Sequence, residues 1–455
     1  MSTLTYHYQA PSELTDAGLQ LSTSGGPAAH PWFFTGAATA PAQLCAGLLL
    51  VSTVAGTHYA RAVGVPYPDP LVTADRDVLR FESVSLCAGV SARLDVLAAG
   101  LDGDQARHGT TNVDVGPQLR PLLATVRRRD PVRLDVGADG LTVSTTGTSV
   151  VERKVPLAER WLRALTEAQA LTSGVDLRAE LAPREAMAFL NALPTGARAD
   201  VRWAVPTGRT LRLVERPQPG AVCLPGPHRL EVLRRFWRLG ATVQAYGPPV
   251  TASSPAQVSV WVVSTPTARL SLTLSPGVWR SLSGEGAALE RLAAGSAPED
   301  AELVSALLAV DPDPEIDALA AGSGLTPGRV RDALHVLATS GQIGYDPVET
   351  RYFHRALPFD QGRVERANPR LAGARALVAA GAVTLVGDGA RVLSGSTLSA
   401  PAGSEDADEA YLLRPEGNRL RCTCRWWTDH DGRRGPCKHE LAVRISQADR
   451  PAGLR

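Results

Sequence analysis

Lysine is almost missing from this 455-residue chain, where it occurs only at Lys154 and Lys438, so arginine carries nearly all the positive charge. The 47 basic and 46 acidic residues leave a formal net charge of +1. Without a global field to recruit nucleic acid or an anionic membrane, any such binding has to arise from a local patch. Long apolar runs are scarce as well: the stretch at 44–51 is apolar but too short to cross a bilayer. Residues 1–24 hold no basic segment leading into an apolar run, and the expectation is a soluble, cytoplasmic protein without a membrane partner. Signature motifs of common enzyme classes are missing too, with no glycine-rich phosphate loop and its lysine, no HExxH helix and no G-x-S-x-G elbow. The nine histidines are dispersed, no residue stands out as catalytic, and the chain is expected not to be an enzyme.

Cysteine is sparse, with six in all, and unevenly spread. Cys45, Cys87 and Cys223 are isolated in apolar contexts that suit the reduced thiols of a core. By contrast, Cys422, Cys424 and Cys437 fall within sixteen residues, and with His439 they form a CxC...CxH set. Three soft thiolates plus one imidazole suit a closed tetrahedral zinc site, whereas a catalytic zinc more often keeps a water in place of one ligand. Buried core thiols and a disulfide are the competing explanations. The loop between the two pairs is polar and arginine-rich, a poor setting for an apolar core, so the set is read as holding one structural Zn2+ per chain. Asp431 and Gly432 supply a turn, within the twelve intervening residues, that brings the second pair back onto the first. His430 lies in the same loop as a rival donor, but the CxH pair fits the site better.

Cys422, Cys424, Cys437 and His439, followed by Glu440, Leu441 and Ala442, resemble a SWIM-type zinc finger. The resemblance implies a short hairpin carrying the CxC pair, with residues 419–421 as its incoming strand, and a helix at 438–445 opened by the CxH pair. It is confined to the end of the chain. Two less specific phrases, at 109–114 and 152–161, resemble the long N-terminal region of bacterial proteins that carry a SWIM finger at their far end. Such proteins are similar to those encoded beside MoxR-type ATPases and von Willebrand A-domain proteins. That association implies an adapter or substrate-handling role and no known activity.

Hydrophobic periodicity and turn residues describe an α+β, multidomain chain. The expected parts are an N-terminal α+β domain at 1–175, a second at 176–295, a winged-helix-like domain at 300–360, and a C-terminal region at 361–455 that holds the finger at 411–447. Residues 40–54 read as a buried helix or strand. A helix at 117–128 followed by strands at 132–136 and 141–144 is matched later by a basic helix at 227–239 and strands at 258–263 and 268–274, which suggests a pseudo-repeated body. Arg234, Arg235 and Arg238 on the second helix could touch phosphates or simply form a solvated face. The helix at 158–171 is expected to turn Trp161 and Leu162 inward. The polar run at 109–114 could hold a ligand, or cap a helix and close a turn. Thr326 and Pro327 open the third helix of a winged-helix pattern, with Val330, Leu334 and Leu337 on one face and strands at 341–345 and 351–353 around a wing.

The cations then divide into two groups. In the winged-helix-like domain Arg329 and Arg331 could enter a DNA groove, with Arg351 or Arg355 at the wing, although Asp332 and the acidic run Asp311, Asp313, Glu315 and Asp317 oppose this. Residues 414–455 are the strongest basic patch, with ten basic residues against five acidic. Arg425, Arg433, Arg434 and Lys438 are candidate phosphate contacts. Trp427 and its neighbour Trp426 could stack on bases or cover the metal core. The combined expectation is a zinc-binding protein that binds DNA or RNA. The alternative is a protein-interaction adapter for an ATPase or von Willebrand A-domain partner.

Overall fold

Helix α1 (Pro41–Ala55) is apolar nearly all the way round, the composition of a helix enclosed on every side. It follows strand β3 (Trp32–Ala38) and a short hairpin of β1 (Glu13–Thr15) and β2 (Gly18–Gln20). The computed structural model describes residues 13–15, 18–20, 32–61, 70–75, 77–104, 108–155, 159–194, 196, 200–236, 240–282, 298–357, 369–393, 410–416 and 419–448. Trp237 and Arg238 lie outside these residues. The ambiguous segment at 40–54 is therefore helical, and α1 packs on β5 (Val78–Val84) and β6 (Val90–Val96). Gly47 makes this close approach possible, because a Cβ there would meet the Leu94 methyl carbons at 2.7 Å.

The body is built on an eight-stranded antiparallel sheet in the order β12-β16-β17-β18-β6-β5-β4-β8. Its remaining strands are β4 (Leu71–Asp75), β8 (Gly109–Asn112), β12 (Asp176–Leu181), β16 (Thr242–Gly247), β17 (Ser259–Ser264) and β18 (Ala268–Leu274). The seam between β6 and β18 runs from Val90↔Leu274 to Val96↔Ala268. Residues on either side of position 175 thus share one sheet. A five-stranded sheet, β11-β10-β9-β3-β7, adds β7 (Leu101–Asp104), β9 (Arg133–Gly137), β10 (Gly140–Thr145) and β11 (Thr148–Arg153). A third sheet has β13 (Val201–Thr207) between β14 (Thr210–Val214) and β15 (Val222–Pro225).

Helices α2 (Leu119–Thr125), α3 (Glu159–Thr172) and α4 (Pro183–Ala192) and a 3-10 helix (Pro227–Arg235) complete this body. Strand, helix and strands recur as β3–α1–β4–β5–β6, β8–α2–β9–β10–β11, β12–α4–β13–β14 and β15–3-10 helix–β16–β17–β18. The helix-plus-hairpin repeat legible in the sequence is part of this wider recurrence. Trp161 and Leu162 are buried on α3, as the helical spacing predicts.

Three local expectations are corrected. The segment at 117–128 is helical only over α2, since Val126 already has extended backbone. The basic helix at 227–239 is 3-10 over its described part, and Arg234 donates to the carbonyls of Leu190 (3.0 Å) and Leu193 (2.8 Å) rather than facing phosphates. It satisfies carbonyls at the end of α4 that have no helical partner. The run at 109–114 forms buried strand β8 followed by a bridge from Val113 to Lys154, with the Thr110 hydroxyl accepting from the Ala356 amide and Thr111 donating to the Ala138 carbonyl. It is a sheet edge tied down by internal hydrogen bonds, neither a helix cap nor an open ligand site.

Beyond the body, α5 (Pro298–Val310), α6 (Ile316–Ser323) and α7 (Pro327–Thr339) lead into a hairpin of β19 (Ile343–Asp346) and β20 (Arg351–His354). Gly324, at φ 71°, ends α6, and the Thr326 hydroxyl caps α7 by accepting from the Arg329 amide. Val330, Leu334 and Leu337 are fully buried, as their spacing requires. A final unit has a four-stranded sheet, β21 (Val383–Val386), β22 (Gly389–Leu393), β23 (Ala410–Glu416) and β24 (Arg419–Cys422), with helices α8 (Pro369–Ala379), α9 (Arg425–His430) and α10 (Lys438–Ala448). No helix among the described residues is long and apolar enough to cross a membrane.

The β19–β20 hairpin is pinned to the large sheet by buried charge. Arg93 and Arg269 reach Asp346 at 3.0 and 3.1 Å, and Arg355 holds Glu82 through two bonds of 2.6 and 2.7 Å. The guanidinium groups of Arg80, Arg355 and Arg93 lie 4.5, 4.7 and 5.3 Å from the Phe353 ring centre. Arg355 is buried in this joint, so the expectation that it could contact DNA at the wing is corrected.

Burial pushes the Glu82 carboxyl up, yet Arg355, with Arg93 and Arg80 beside it, outweighs burial and holds it below the ordinary 4.5. A depressed folded value means that the pair stabilises the protein fully above 4.5 and that this contribution is lost as pH falls through the folded value. Arg355→Ala is expected to destabilise by about 3–5 kcal/mol, because it leaves a buried carboxylate alone. In urea titrations the joint change Glu82→Gln with Arg355→Met should recover much of that loss and show a shallower decline on acidification. An unaltered midpoint in Arg355→Ala would rule out this account of the joint.

Candidate metal centre

The metal-binding residues are delivered by three short elements. Strand β24 ends on Cys422, Cys424 occupies the N-cap position of α9, and Cys437 immediately precedes α10, whose second residue is His439. Between the two helices Asp431 and Gly432 adopt left-handed backbone, at φ 49° and 66°, and turn the chain back as the Asp-Gly pair predicts. Gly432 is needed for space as well, since a Cβ would meet the Trp427 ring at 2.8 Å. The helix opened by the second pair is present, and the hairpin ends on Cys422 of the first pair, with Cys424 beyond it at the start of α9.

All four donors are buried, and their ligand atoms lie within 4.8 Å of one another. The His439 Nδ1 is 3.6 Å from the Cys422 Sγ, while its Nε2 is buried without a hydrogen-bond partner, so Nδ1 is the nitrogen that faces the sulfurs. Three thiolates and one imidazole with this convergence make a closed, structural Zn2+ site, one per chain. When bound, the ion supplies folding energy by holding both cysteine pairs.

A backbone amide supports one of the sulfurs. The Glu440 amide donates to the Cys437 Sγ at 3.4 Å. That donor favours the anionic form of Cys437. Hydrogen bonds from Cys422 and Cys437 pull the Cys424 thiol well below the usual range, and those Cys422 makes with Cys424 and Cys437 hold Cys422 above it. The protons retained by the cluster are those that a cation displaces on binding.

Aromatic and aliphatic side chains wall the cluster. Tyr411 stacks on His439 with ring centres 4.1 Å apart, and Leu371, Leu441 and Val443 from α8 and α10 are buried in the same core. Trp427 is only 6% exposed and belongs to that core, which corrects its assignment as a stacking platform. A unit this small needs the indole to enclose its metal. Trp426 is half-buried, with the Arg370 guanidinium 4.4 Å above its ring and His430 edge-on at 4.3 Å. His430 is thus directed to Trp426 and stays outside the ligand set.

The predicted cations fare differently. Arg425 is 93% and Arg433 71% exposed at the side chain, each with one carboxylate at 3.4 Å, Asp429 and Asp431. Lys438 is exposed at the start of α10, and Arg434 is half-buried with an enclosed Nε that lacks a partner. Arg331 is exposed on α7, but Arg329 is held by both Asp300 oxygens, at 2.8 and 2.5 Å. Arg351 is paired with Asp313 at 3.2 Å. The two cationic groups belong to touching units, because Val336 of α7 packs against both the α5–α7 core and the metal-centre core.

Two features at this face escaped the sequence analysis. Trp279 is 70% exposed beside Arg280, whose guanidinium donates to the Arg433 carbonyl at 3.1 Å. A lone tryptophan in a Pro-Gly turn was the available signal. Arg414 and Arg421 sit directly opposite each other across β23 and β24, a pairing visible only once the register is known.

No family model matches the chain, and no match was found among curated proteins. Among solved structures it is similar to proliferating cellular nuclear antigen from Entamoeba histolytica, with 10% identity over 54% of this chain and 98% of that one and a TM-score of 0.34. A. fulgidus PCNA bound to the C-terminal region of FEN-1 shows 10% identity, coverage of 53% and 97%, and a TM-score of 0.33. The PCNA2–PCNA3 complex of Sulfolobus tokodaii shows 8% identity, coverage of 53% and 98%, and a TM-score of 0.39. At these TM-scores the likenesses define neither the fold nor the site.

Replacing Cys422 and Cys437 together with serine is expected to abolish metal binding, from one equivalent of zinc to none by elemental analysis. Amide exchange should then accelerate in α9 and α10 while the eight-stranded sheet keeps its protection. Retention of a full equivalent would show that other residues hold the ion.

Proposed function

We propose that residues 411–447 form a SWIM-type zinc finger and that this finger is the nucleic-acid-binding module of a cytoplasmic, non-enzymatic protein. The observation that carries the reading is the arrangement of Arg425, Arg433 and Lys438, exposed around the buried set of Cys422, Cys424, Cys437 and His439. The carboxylates near the two arginines are exposed as well, and such pairs are worth little in water, so a phosphate can replace them. Zinc fixes the loop between the cysteine pairs, and the arginines release counterions when they meet the polymer. Residues 298–354 are proposed as a winged-helix-like unit whose contribution to DNA contact is secondary, because Arg329 and Arg351 already have acidic partners.

The test is binding of zinc-loaded protein to labelled DNA and RNA over a salt series. Arg425→Ala with Arg433→Ala is expected to weaken affinity at least tenfold at low salt and to reduce the salt slope by about 1.4–1.8, the share of two phosphates. Salt-insensitive capture of a MoxR-type ATPase or von Willebrand A-domain protein, with no affinity for any polynucleotide, would replace this reading with the adapter role.

A further inference from the structure

We propose that the outer face of the β23–β24 hairpin is a binding groove for single-stranded nucleic acid, with Arg414 and Arg421 as a phosphate clamp. The inference rests on the nucleic-acid reading above and adds to it a second site, outside the loop between the cysteine pairs. Along β23 the buried Leu413 alternates with the exposed Leu412 and Arg414, and along β24 the buried Cys422 follows the exposed Arg421. Register places Arg414 directly opposite Arg421. Two like charges in that position repel each other and destabilise the hairpin.

Neither arginine has an ion-pair or hydrogen-bond partner among the described residues, unlike Arg329, Arg351 and Arg355 of the same chain. A shared anion removes the repulsion and converts the pair into a two-pronged donor. The arginines line a hollow of 830 Å3 between the hairpin and α9. Thr423 and Thr428 also line it, with their hydroxyls bonded to the Leu412 amide and the Cys424 carbonyl, and Glu416 and Asp431 border it. Asp431, at the border of the hollow, lies 3.4 Å from the Arg433 guanidinium.

A polymer fits this face better than a free anion. Leu412, 45% exposed, lies two residues from Arg414 on the same side of β23 and offers an apolar surface to a base next to the clamped phosphate. The site is concave, the shape that tracks one flexible strand, whereas a duplex presents a convex backbone. The groove shares Cys422 and Trp427 with the walls of the metal centre, so the zinc that orders the finger also sets the distance between the groove's two sides.

Full-length, zinc-loaded protein should be titrated with a labelled oligo-dT strand and with a labelled duplex over a salt series. Arg414→Ala with Arg421→Ala is expected to weaken oligo-dT binding about tenfold and to lower the salt slope by about 0.7, the share of the one clamped phosphate. The paired change to lysine should keep the slope, and zinc content should stay at one equivalent in both. Unchanged affinity and slope in the alanine pair, while Arg425→Ala with Arg433→Ala still weakens binding, would overturn the groove and leave the finger reading standing. A preference of the unsubstituted protein for the duplex would also overturn it. Absence of binding to either probe would overturn the groove.

Discussion

Three sulfurs and one imidazole nitrogen, buried within 4.8 Å of one another, are the constraint on which the C-terminal unit depends. Without a cation the anionic forms of these thiols repel one another inside a buried core. With one, β24, α9 and α10 acquire a common anchor, and Trp427 closes over it. The exposed cations are then carried on short elements whose positions follow from the ligands. A six-residue helix such as α9 is too short to be stable by itself, so its exposed face depends on the burial of Trp427 and on the ligand Cys424 at its N-cap.

The body uses arginine in the opposite way. Arg80, Arg93, Arg229, Arg269 and Arg355 are all buried, and they join separate parts of the chain. Arg229 alone donates to the carbonyls of Pro225 and Ser275, at 3.0 and 2.9 Å, and to that of Gly89. Several carbonyls or both oxygens of a carboxylate can be held by one planar guanidinium, which stays charged when buried, whereas an ammonium loses its charge more readily. In this role Arg93, Arg269 and Arg355 are paired internally with Asp95, Asp346 and Glu82.

The metal centre was legible because its information is local: four donors, one turn and one helix start, all within eighteen residues. The helices at 298–339 were legible for the same reason, through Thr326, Pro327 and Gly324. What could not be read was pairing at a distance. Arg355 looked like a wing residue until Glu82 was placed beside it, and Arg329 looked free until Asp300 was. Trp427 lies among arginines in sequence and among leucines in space. The 109–114 run is polar because its side chains bond to neighbouring segments, a pattern indistinguishable in sequence from a ligand-binding loop. The Arg414–Arg421 juxtaposition is a property of register, which periodicity does not specify.

The seam between β6 and β18 also places a demand on how the chain is made. About 170 residues separate the two strands, so at ribosomal speeds of about 5–20 residues per second β6 waits roughly ten to thirty seconds for its partner. During that interval it is the open edge of a growing sheet, the kind of edge that recruits strands from other chains. Arg93 and Asp95 lie on that edge. Charged side chains there discourage pairing with a foreign strand until β18 arrives and the hairpin closes over them. The residues that lock the finished joint thus serve first as guards of an unfinished one.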